Sequence, residues 1–538
     1  MSSLGGSARS MAVGTIASRA TGFLRTVVIA GVLGVAAVGD AFNLANTSPN
    51  IVYELLLGGV LTSVVVPLLV RAAKEDGDDG AAYAQRLLTL VVLVLGTASV
   101  VLVLGAPLII DLYGNRLGPE AYDLAVVFAR FLLPQVLFYG VGAVLGAYLN
   151  TRGRFGPPMW APVLNNLVVI ATGIVFLLMP GPDRLEPGTI TDAQVTVLGI
   201  GVTLGIVAQT LALVPALRSV GFHFAPRFDL RGAGLAPAAR LAKWVFLSVL
   251  ISQAAYLVVV NLAIAAGKLE PGRGYASYTY AYVLWQLPHA VVAVSVITAL
   301  LPRMSRAATD GRTDDLRGSL NHGLRLTVSV LVPAAVAFVV LGRVLAVSVF
   351  TLVPSSQVSV DDARFIGLLL AVFAVGLVPY SAYQVQLRSF YAMQDTRTPM
   401  LINLGVAVTV VVVDLTLYAL LPDDLKVIGL AAGHASSFAA GLVLCSIVLS
   451  RRIGGLGAAA VVQTGSRCLL AALVAALPTV LVVALLPRVV GAGPLGSLVT
   501  LVVGGLLLIA GYLLAARRLR VREVDEVIGP VLRRLGRA

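Results

Sequence analysis

Runs of roughly twenty mostly apolar residues recur along nearly the whole chain, at 11–34, 40–71, 84–112, 121–149, 158–179, 194–217, 241–266, 275–302, 325–351, 363–390, 398–421, 427–450, 466–487 and 495–516. Each is long enough, at about 1.5 Å per residue, to cross a hydrocarbon core about 30 Å thick. Lipid offers no partner to a backbone N–H or C=O, so a segment that crosses it must satisfy its own groups, and a helix does so. The expected fold is therefore an all-α polytopic membrane protein with fourteen transmembrane helices. Composition agrees: of 538 residues 58% are hydrophobic and 12% charged, with a mean hydropathy of +0.94. The two cysteines, Cys445 and Cys468, lie in or beside apolar runs without metal-ligand spacing and read as packing residues. The opening "MSSLGGSARSMAVG" has one basic residue, and the apolar run after it contains Arg19 and Arg25 and lacks a small-residue cleavage site. It reads as an uncleaved first helix.

An even number of spans puts both termini on one face, and the loops then divide the basic residues unequally. Of the 39 lysines and arginines, 28 fall on the side of the termini, nine on the opposite side and two inside the membrane. By the positive-inside rule the N- and C-termini are cytoplasmic. The net charge of +13 is then chiefly a topology signal, and nucleic acid is not an expected partner. The outer loops ("GPDRLEPGTITDA", "LVPSSQVSVDDAR", "PDDLK") are short and acidic or neutral. None has room for a catalytic domain, so a transporter is expected rather than an enzyme.

An internal repeat organises the first twelve spans. "GGVLTSVVVPLLVRAA" (58–73) aligns with "AVSVITALLPRMSRAA" (293–308) at an offset of 235, matching Pro67 to Pro302 and Arg71 to Arg306. Tyr139, Pro158 and Met159 match Tyr380, Pro399 and Met400 at an offset of 241, the same duplication after a small insertion. The chain divides into a cytoplasmic N-terminus (1–10), an N-lobe of six spans (11–221), a C-lobe of six (222–454), a final pair of spans (463–516) and a basic cytoplasmic tail (517–538) expected to lie on the anionic inner leaflet. Six being even, the lobes share one orientation and should be related by a pseudo-twofold along the membrane normal, around a central cavity.

Several polar residues interrupt this apolar pattern. A charge near the bilayer centre costs roughly 2.5–3.5 kcal/mol even on the lenient insertion scale, so Arg19 and Arg25 in the first span require partners or water. Ser18 and Arg25, seven apart, share a helix face, while Arg19 is turned roughly 120° away, so the pair can grip one large anion from two angles. The competing reading is a salt bridge to intramembrane acids for packing alone. In the second span Asp40, Asn43, Thr47, Asn50 and Glu54 form one polar stripe. At the offset of 235 the same positions are Tyr275, Tyr278, Tyr282, Trp285 and His289, with Gln286 beside them. Aromatic faces next to hydrogen-bonding groups suit a sugar or an amphipathic headgroup, and they also suit helix packing; His289 is open to either reading. Asp414 is a lone acid in an apolar span and a candidate coupling site for a proton or Na+, with Asn261 and His434 as further ligands if they face it. Asn165 and Asn166 line the cavity or, on the blander reading, bond between helices.

"ASRATGFLR", "GDAFNLANTSPN", "GAYLNTRGRFGPPMWAPVLNN" and "FYAMQDTRTPM", on a fourteen-helix plan with a six-helix repeat, resemble the MurJ/MviN family of lipid II flippases in the multidrug/oligosaccharidyl-lipid/polysaccharide exporter superfamily. The resemblance covers essentially the whole chain. It implies a protein of the bacterial cytoplasmic membrane that moves lipid II, the undecaprenyl-diphosphate-linked disaccharide-pentapeptide of peptidoglycan synthesis, from the inner to the outer leaflet by alternating access. The headgroup would pass through the central cavity while the polyprenyl tail stays in the bilayer, along a groove formed with the last two spans. Arg19, Arg25 and Asp40 correspond to the family's cavity-facing arginines and to the acid opening its second helix. The implied partners are lipid II, bilayer lipids and proteins of cell-wall synthesis or division. No cofactor is implied beyond coupling to membrane potential, Na+ or H+.

The departures are as specific as the matches. Better-known members place an acid after the second arginine, a basic pair in the second span and another arginine in the eighth, where this chain has Thr26, Tyr53 with Glu54, and Val283. Arg19 and Arg25 would then hold the diphosphate alone, with the aromatic stripe and His289 serving the sugar or peptide side. The nearest alternatives are a flippase for another polyprenyl-linked oligosaccharide and a drug or cation antiporter of the same superfamily. An integral-membrane glycosyltransferase using Asp361 with Asp362, or Asp423 with Asp424, lacks a phosphate-cradling motif and loops long enough for a donor site. Candidate bends are Pro49, Pro67, Pro288 and Pro302, with Gly58 and Gly59 as a flexible point.

Overall fold

The computed structural model describes residues 2–55, 69, 80–229, 236–526 and 529. Among these every regular element is helical. Packing divides the chain into two compact units, residues 1–276 and 277–538. That boundary lies beyond the repeat boundary near 221, because the seventh span packs with the first unit.

The first unit is built from α1 (Ser2–Leu33), α2 (Ala37–Tyr53), α3 (Ala81–Leu104), α4 (Ala106–Gly114), α5 (Pro119–Leu132), α6 (Gln135–Thr151), α7 (Gly156–Leu178), α8 (Asp192–Leu211), α9 (Val214–Ser219) and α10 (Ala236–Leu269). Its tightest turn joins α1 to α2. Gly34 takes φ +71°, and a Cβ on Gly39 would stand 2.4 Å from the Gly34 carbonyl oxygen, so both positions need glycine. Helix α1 runs along α7, where Asn166 Nδ2 donates to the Ser18 carbonyl at 3.1 Å and to Thr21 Oγ1 at 3.0 Å. Asn165, on the same helix, faces α8 so closely that a Cβ on Gly205 would meet its Oδ1 at 2.4 Å. Of the two roles open to these amides, interhelical packing is the one observed. Helix α10 joins the unit where Asn261 Nδ2 reaches the carbonyl of Leu112, on α4, at 3.1 Å. Helix α8 starts with a capping box between Thr191 and Gln194.

The second unit takes up α11 (Tyr275–Pro288) from its third residue, then a π-helical turn (His289–Ala293), α12 (Val294–Thr309), α13 (Thr313–Phe350), α14 (Val360–Val375), α15 (Leu377–Ala392), α16 (Arg397–Leu420), α17 (Lys426–Ile453), α18 (Ala459–Leu485), α19 (Pro487–Val490) and α20 (Pro494–Arg518). Helices α18 and α20 pair with each other and both pack on α13, around Val328, Val332, Cys468, Ala472 and Tyr512. Both cysteines are buried and free, as packing residues should be. The outer acids are used locally: Asp362 completes a capping box with Ser359, Asp361 pairs with Arg364 and Asp423 with Lys426.

Twelve helices among the described residues have the length and hydropathy to cross a membrane, and α14 with α15, bent by 46°, makes a thirteenth. The remaining expected span, the second, is described only through α2, two residues beyond it and residue 69. The protein is a multi-pass membrane protein. The sharp bend falls at Gly376, a position the sequence reading did not single out, where a Cβ would sit 2.8 Å from Ala435 Cα. Pro288 immediately precedes the π-helical turn, Pro302 lies inside α12, and Pro49 lies inside α2. Pro67, Gly58, Gly59 and Arg71 lie outside the described residues.

The start of the tail departs from expectation. Residues 522–526 form a short helical turn whose Val521 and Val524 are buried against the α13, α18 and α20 cluster. Its acids make the contacts: Glu523 with Arg325, Glu526 with His322 and Asp525 with Arg517. Apolar burial and ion pairing thus hold this stretch on the protein, where a basic surface helix was expected.

The α15–α16 loop is fixed by Asp395, which accepts from the Arg397 and Thr398 amides at 3.0 Å, from Thr398 Oγ1 at 2.6 Å, and from Arg452. Burial opposes the charge on Asp395, but these donors outweigh it and hold the carboxyl below the usual carboxylate range. A folded-state value below the unfolded one contributes stability above the unfolded value, and that stability is lost as pH falls through the depressed one. Asp395→Asn should therefore flatten the acid limb of a plot of thermal midpoint against pH while leaving its neutral and alkaline parts parallel to wild type.

Candidate functional site

Once helices satisfy their own backbones, the polar side chains inside the spans must either bond one another or face water. The stripe on α2 does both, at different depths. At its start Asp40 is 4% exposed, and its Oδ1 accepts from the Ala276 amide, in the first turn of α11, at 2.6 Å. Its Oδ2 lies where a Cβ on Gly274 or Gly267 would be, 2.4 and 2.8 Å away. A carboxylate at a helix N-terminus, pressed against two glycines, is a cap. Asn43 is buried and bonds back to the Gly39 carbonyl at 2.8 Å. Thr47 Oγ1 accepts from Tyr275 at 3.1 Å, and Tyr275 shares a 2.6 Å bond with Tyr256. This upper half of the stripe is packing, contrary to its expected place on a substrate wall.

The lower half is open. Asn50 and Glu54 are both exposed; Asn50 makes a long 3.4 Å bond to Asn46 on its own helix and is hydrogen-bonded to Tyr139, and Glu54 accepts from Gln253 at 3.2 Å. On α1, Arg19 is exposed and Ser18 and Arg25 are half-buried. Neither arginine has a carboxylate partner among the described residues. Arg25 is close enough to Tyr139 on α6 for the two to interact electrostatically. Arg19 and Asn50 lie about equally far, roughly 20 Å, from the α1–α2 turn by helical rise.

Tyr139 borders a cavity of about 230 Å³ within the first unit, lined also by Asn50, Tyr53, Gly142, Gln209 and Thr210. The Tyr53 and Tyr139 rings are 5.6 Å apart at 51°, and Tyr139 donates to Gln135 at 3.2 Å. Of these residues only Asn50 was anticipated as a site residue. The available signal was the repeat itself: at the offsets of 235 and 241 Asn50 and Gly142 stand where the second half has Trp285 and Tyr383.

The aromatic stripe of the second unit is a closed cluster. Trp285 is fully buried, with ring centroids 5.0 Å from Tyr380 and 5.9 Å from Phe438, stacked on the latter at 10°. Tyr278 and Tyr282 pack edge-on against His434 and Phe373, and Gln286 donates to Tyr282 at 2.7 Å. His289 bonds Ser381 at 2.9 Å and packs on Tyr380. Of the two readings these residues allowed, core packing is the one observed, because their faces are spent on one another.

The residues of the expected coupling cluster are found in separate surroundings within their own units. Asn261 belongs to the first unit, where it bonds Leu112 and Leu257. Asp414 is fully buried in the second unit, with neither carboxylate oxygen hydrogen-bonded. It presses on α17, where a Cβ on Gly433 would meet Oδ1. His434 follows in sequence, and its Nε2 is likewise unpartnered. No group of three or more His, Cys, Asp or Glu side chains suited to a metal occurs among the described residues.

The second unit also carries an apolar groove of about 650 Å³ along α13, α15, α17 and α18, lined by Val328, Val336, Val378, Leu442, Val462 and Leu469 among others. Its polar elements are few; Gln386 and Ser446 spend their groups on a reciprocal pair at 2.9 and 3.1 Å.

Removing the Asp40 acceptor should cost about 1–3 kcal/mol, the usual penalty for orphaning a buried donor. Asp40→Ala is expected to lower the thermal midpoint in detergent clearly, and Asp40→Asn, which keeps an acceptor, to lower it much less.

Comparison with known proteins places this architecture. The lipid II flippase MurJ family matches residues 29–504. "Lipid II flippase MurJ" of Burkholderia cenocepacia is 29% identical over 443 residues, 81% of each chain. "Probable lipid II flippase MurJ" of Rhizobium meliloti is 28% identical over 402 residues, 74% of this chain and 72% of that protein. Among solved structures, a lipid II flippase MurJ in an inward closed conformation superposes with a TM-score of 0.72 at 18% identity, covering 95% of this chain and 99% of that one. An inward-facing multidrug transporter of the MATE family gives 0.63 at 18% identity, covering 82% and 96%; these two likenesses concern the fold. With the family matched over most of its length, the chain belongs to the MurJ lipid II flippase family.

Proposed function

We propose that this protein carries lipid II from the inner to the outer leaflet of the bacterial cytoplasmic membrane, with its termini cytoplasmic, by alternating access of its two lobes. The observation that carries this reading is the pair of arginines in α1 without a carboxylate partner among the described residues. Two permanent charges at that depth are costly unless a compensating anion visits them, and a diphosphate is such an anion. Arg25 and Arg19 hold the diphosphate, while the exposed Asn50 and Glu54 border the path of the headgroup. The apolar groove along α13 and α18 accommodates the polyprenyl tail, which never has to leave an apolar environment. Membership of a flippase family and the engagement of the outer acids in caps and ion pairs both favour a transporter over an enzyme. Proteins of cell-wall synthesis or division are the natural partners of such a step.

Asp414 is the proposed coupling group. An ionised carboxylate without a hydrogen bond in apolar surroundings is strongly disfavoured, so this group changes its burden, proton or Na+, as the lobe changes its exposure. Membrane potential acting on Arg19 and Arg25 is the other source of drive.

Reconstitution with labelled lipid II, scoring headgroup access to an outside reagent, tests the assignment. Arg25→Gln and Arg19→Gln together should reduce protein-dependent exposure by at least tenfold, equivalent to about 1.4 kcal/mol or more. Wild-type protein that exposes no lipid II but moves another polyprenyl-linked saccharide would refute the substrate. Asp414→Asn should abolish the response to an imposed proton or Na+ gradient and leave the response to membrane potential; an unchanged gradient response would remove Asp414 from the mechanism.

A further inference from the structure

The two units descend from one duplicated plan and differ most sharply at one corresponding spot. In the second unit the Trp285 indole lies fully buried, 5.0 Å from the Tyr380 ring, and Tyr383, about one turn along α15 from Tyr380, is 4% exposed. In the first unit the tyrosine corresponding to Tyr380 is retained as Tyr139, but Trp285 is replaced by Asn50 and Tyr383 by Gly142. Two large aromatic side chains are thus exchanged for an amide and a hydrogen, and the cavity of about 230 Å³ occupies the space. Interiors are otherwise packed to near-crystalline density, so a hollow of this size, lined by amides and phenols together with Phe138, Pro158 and Leu213, stands out.

The lining is unusual for a transmembrane bundle. Tyr53 and Tyr139 present two tilted ring faces, and Asn50 lies on the same wall beside the Tyr139 hydroxyl. Gln209 makes no hydrogen bond among the described residues and is free to donate and accept at once, while Asn50 is hydrogen-bonded to the Tyr139 hydroxyl. Thr210 spends its hydroxyl on the Phe138 and Ile206 carbonyls. No carboxylate and no lysine lines the space, so the pocket suits an uncharged polar ligand with an apolar face. Arg25 stands at Tyr139 and supplies positive charge at its edge.

We propose that this cavity is a saccharide subsite of the flippase, taking one N-acetylated hexosamine ring of the headgroup. The ring's C–H face stacks on Tyr53 and Tyr139, and its acetamido group is read by Asn50 and Gln209. In this arrangement the sugar occupies in the first unit the place that the Trp285 indole occupies in the second. Arg25 at the edge meets the diphosphate to which the sugar is linked. The subsite also accounts for Tyr53 and Asn50 on a second helix without basic residues: recognition there has passed from charge to stacking and amide pairing. This inference rests on the lipid II reading and assigns to it a specificity determinant that the arginines cannot provide, because they meet every polyprenyl diphosphate alike.

The test uses the full-length protein in lipid nanodiscs and measures equilibrium binding of lipid II and of undecaprenyl diphosphate, which lacks the sugars. Asn50→Trp fills the cavity as the second unit does, and Gln209→Ala removes one amide with little change in packing. Both should weaken lipid II binding, by about tenfold for Asn50→Trp, and leave undecaprenyl diphosphate binding within twofold, whereas Arg25→Gln should weaken both ligands. Equal losses for the two ligands, or no loss of lipid II binding in Gln209→Ala, would overturn the subsite while leaving the transport assignment standing. Wild-type protein that binds lipid II no better than undecaprenyl diphosphate would also overturn it. A failure of lipid II to bind wild-type protein at all would instead bring down the underlying reading. Should Asn50→Trp misfold, as judged by its elution and melting, Gln209→Ala decides the outcome alone.

Discussion

Hydrocarbon will not solvate a polar group, and this constraint decides both the fold and the fate of every polar side chain within it. Backbone groups are satisfied by making each span a helix. Side chains have only two further options, a bond within the protein or contact with water or cargo. Asp40, Asn43, Thr47, Tyr275 and Tyr256 take the first, knitting α2 to α10 and the start of α11. Asn166 does the same between α7 and α1. Arg19 and Arg25 have no carboxylate partner, and Gln209 makes no hydrogen bond, among the described residues. Asp414 takes neither, both of its oxygens being buried without a hydrogen bond.

Duplication supplied two copies of one six-helix plan, and divergence gave them different tasks. The second copy invested its corresponding positions in an aromatic core of Trp285, Tyr380, His434 and Phe438. It also acquired the α18–α20 pair, whose packing on α13 borders an apolar groove. The first copy kept small and polar residues at the equivalent places and retained a hollow lined by amides and phenols. A cargo with a charged diphosphate, uncharged sugars and a long apolar tail needs all three environments, and no single helix face provides more than one of them.

Much of this was legible in the residues. Most span positions and the exceptional standing of Arg19 and Arg25 follow from strings of twenty apolar residues and the cost of interrupting them, and the family from motifs such as "GDAFNLANTSPN". The packing role of Asn166 was one of two readings on the page. Other features misled for identifiable reasons. A stripe at helical spacing says which residues share a face but not what covers the face, so Asp40 and Asn43 looked like cavity residues and proved to be a cap and a packed amide. The aromatic residues from Tyr278 to His289 have the composition of a sugar site and the geometry of a core, because rings that stack on a ligand stack equally well on one another. The charge count of the tail hid the fact that Val521 and Val524 bury, bringing its acids onto His322 and Arg325.

By itself, then, the sequence determined that the chain is a bundle of membrane helices with an internal repeat, that its motifs resemble this flippase family, and that its first helix carries two charges within an apolar span. Those properties reside in single segments, where hydropathy, spacing and the price of a buried charge act locally. Only tertiary structure decided which polar residues are spent on packing, where helix α14–α15 bends, and that Asn50 and Gly142 border a hollow while Trp285 and Tyr383 are buried. These outcomes depend on what stands opposite each side chain. That is set by the meeting of helices far apart in sequence, and no periodicity within one helix records it.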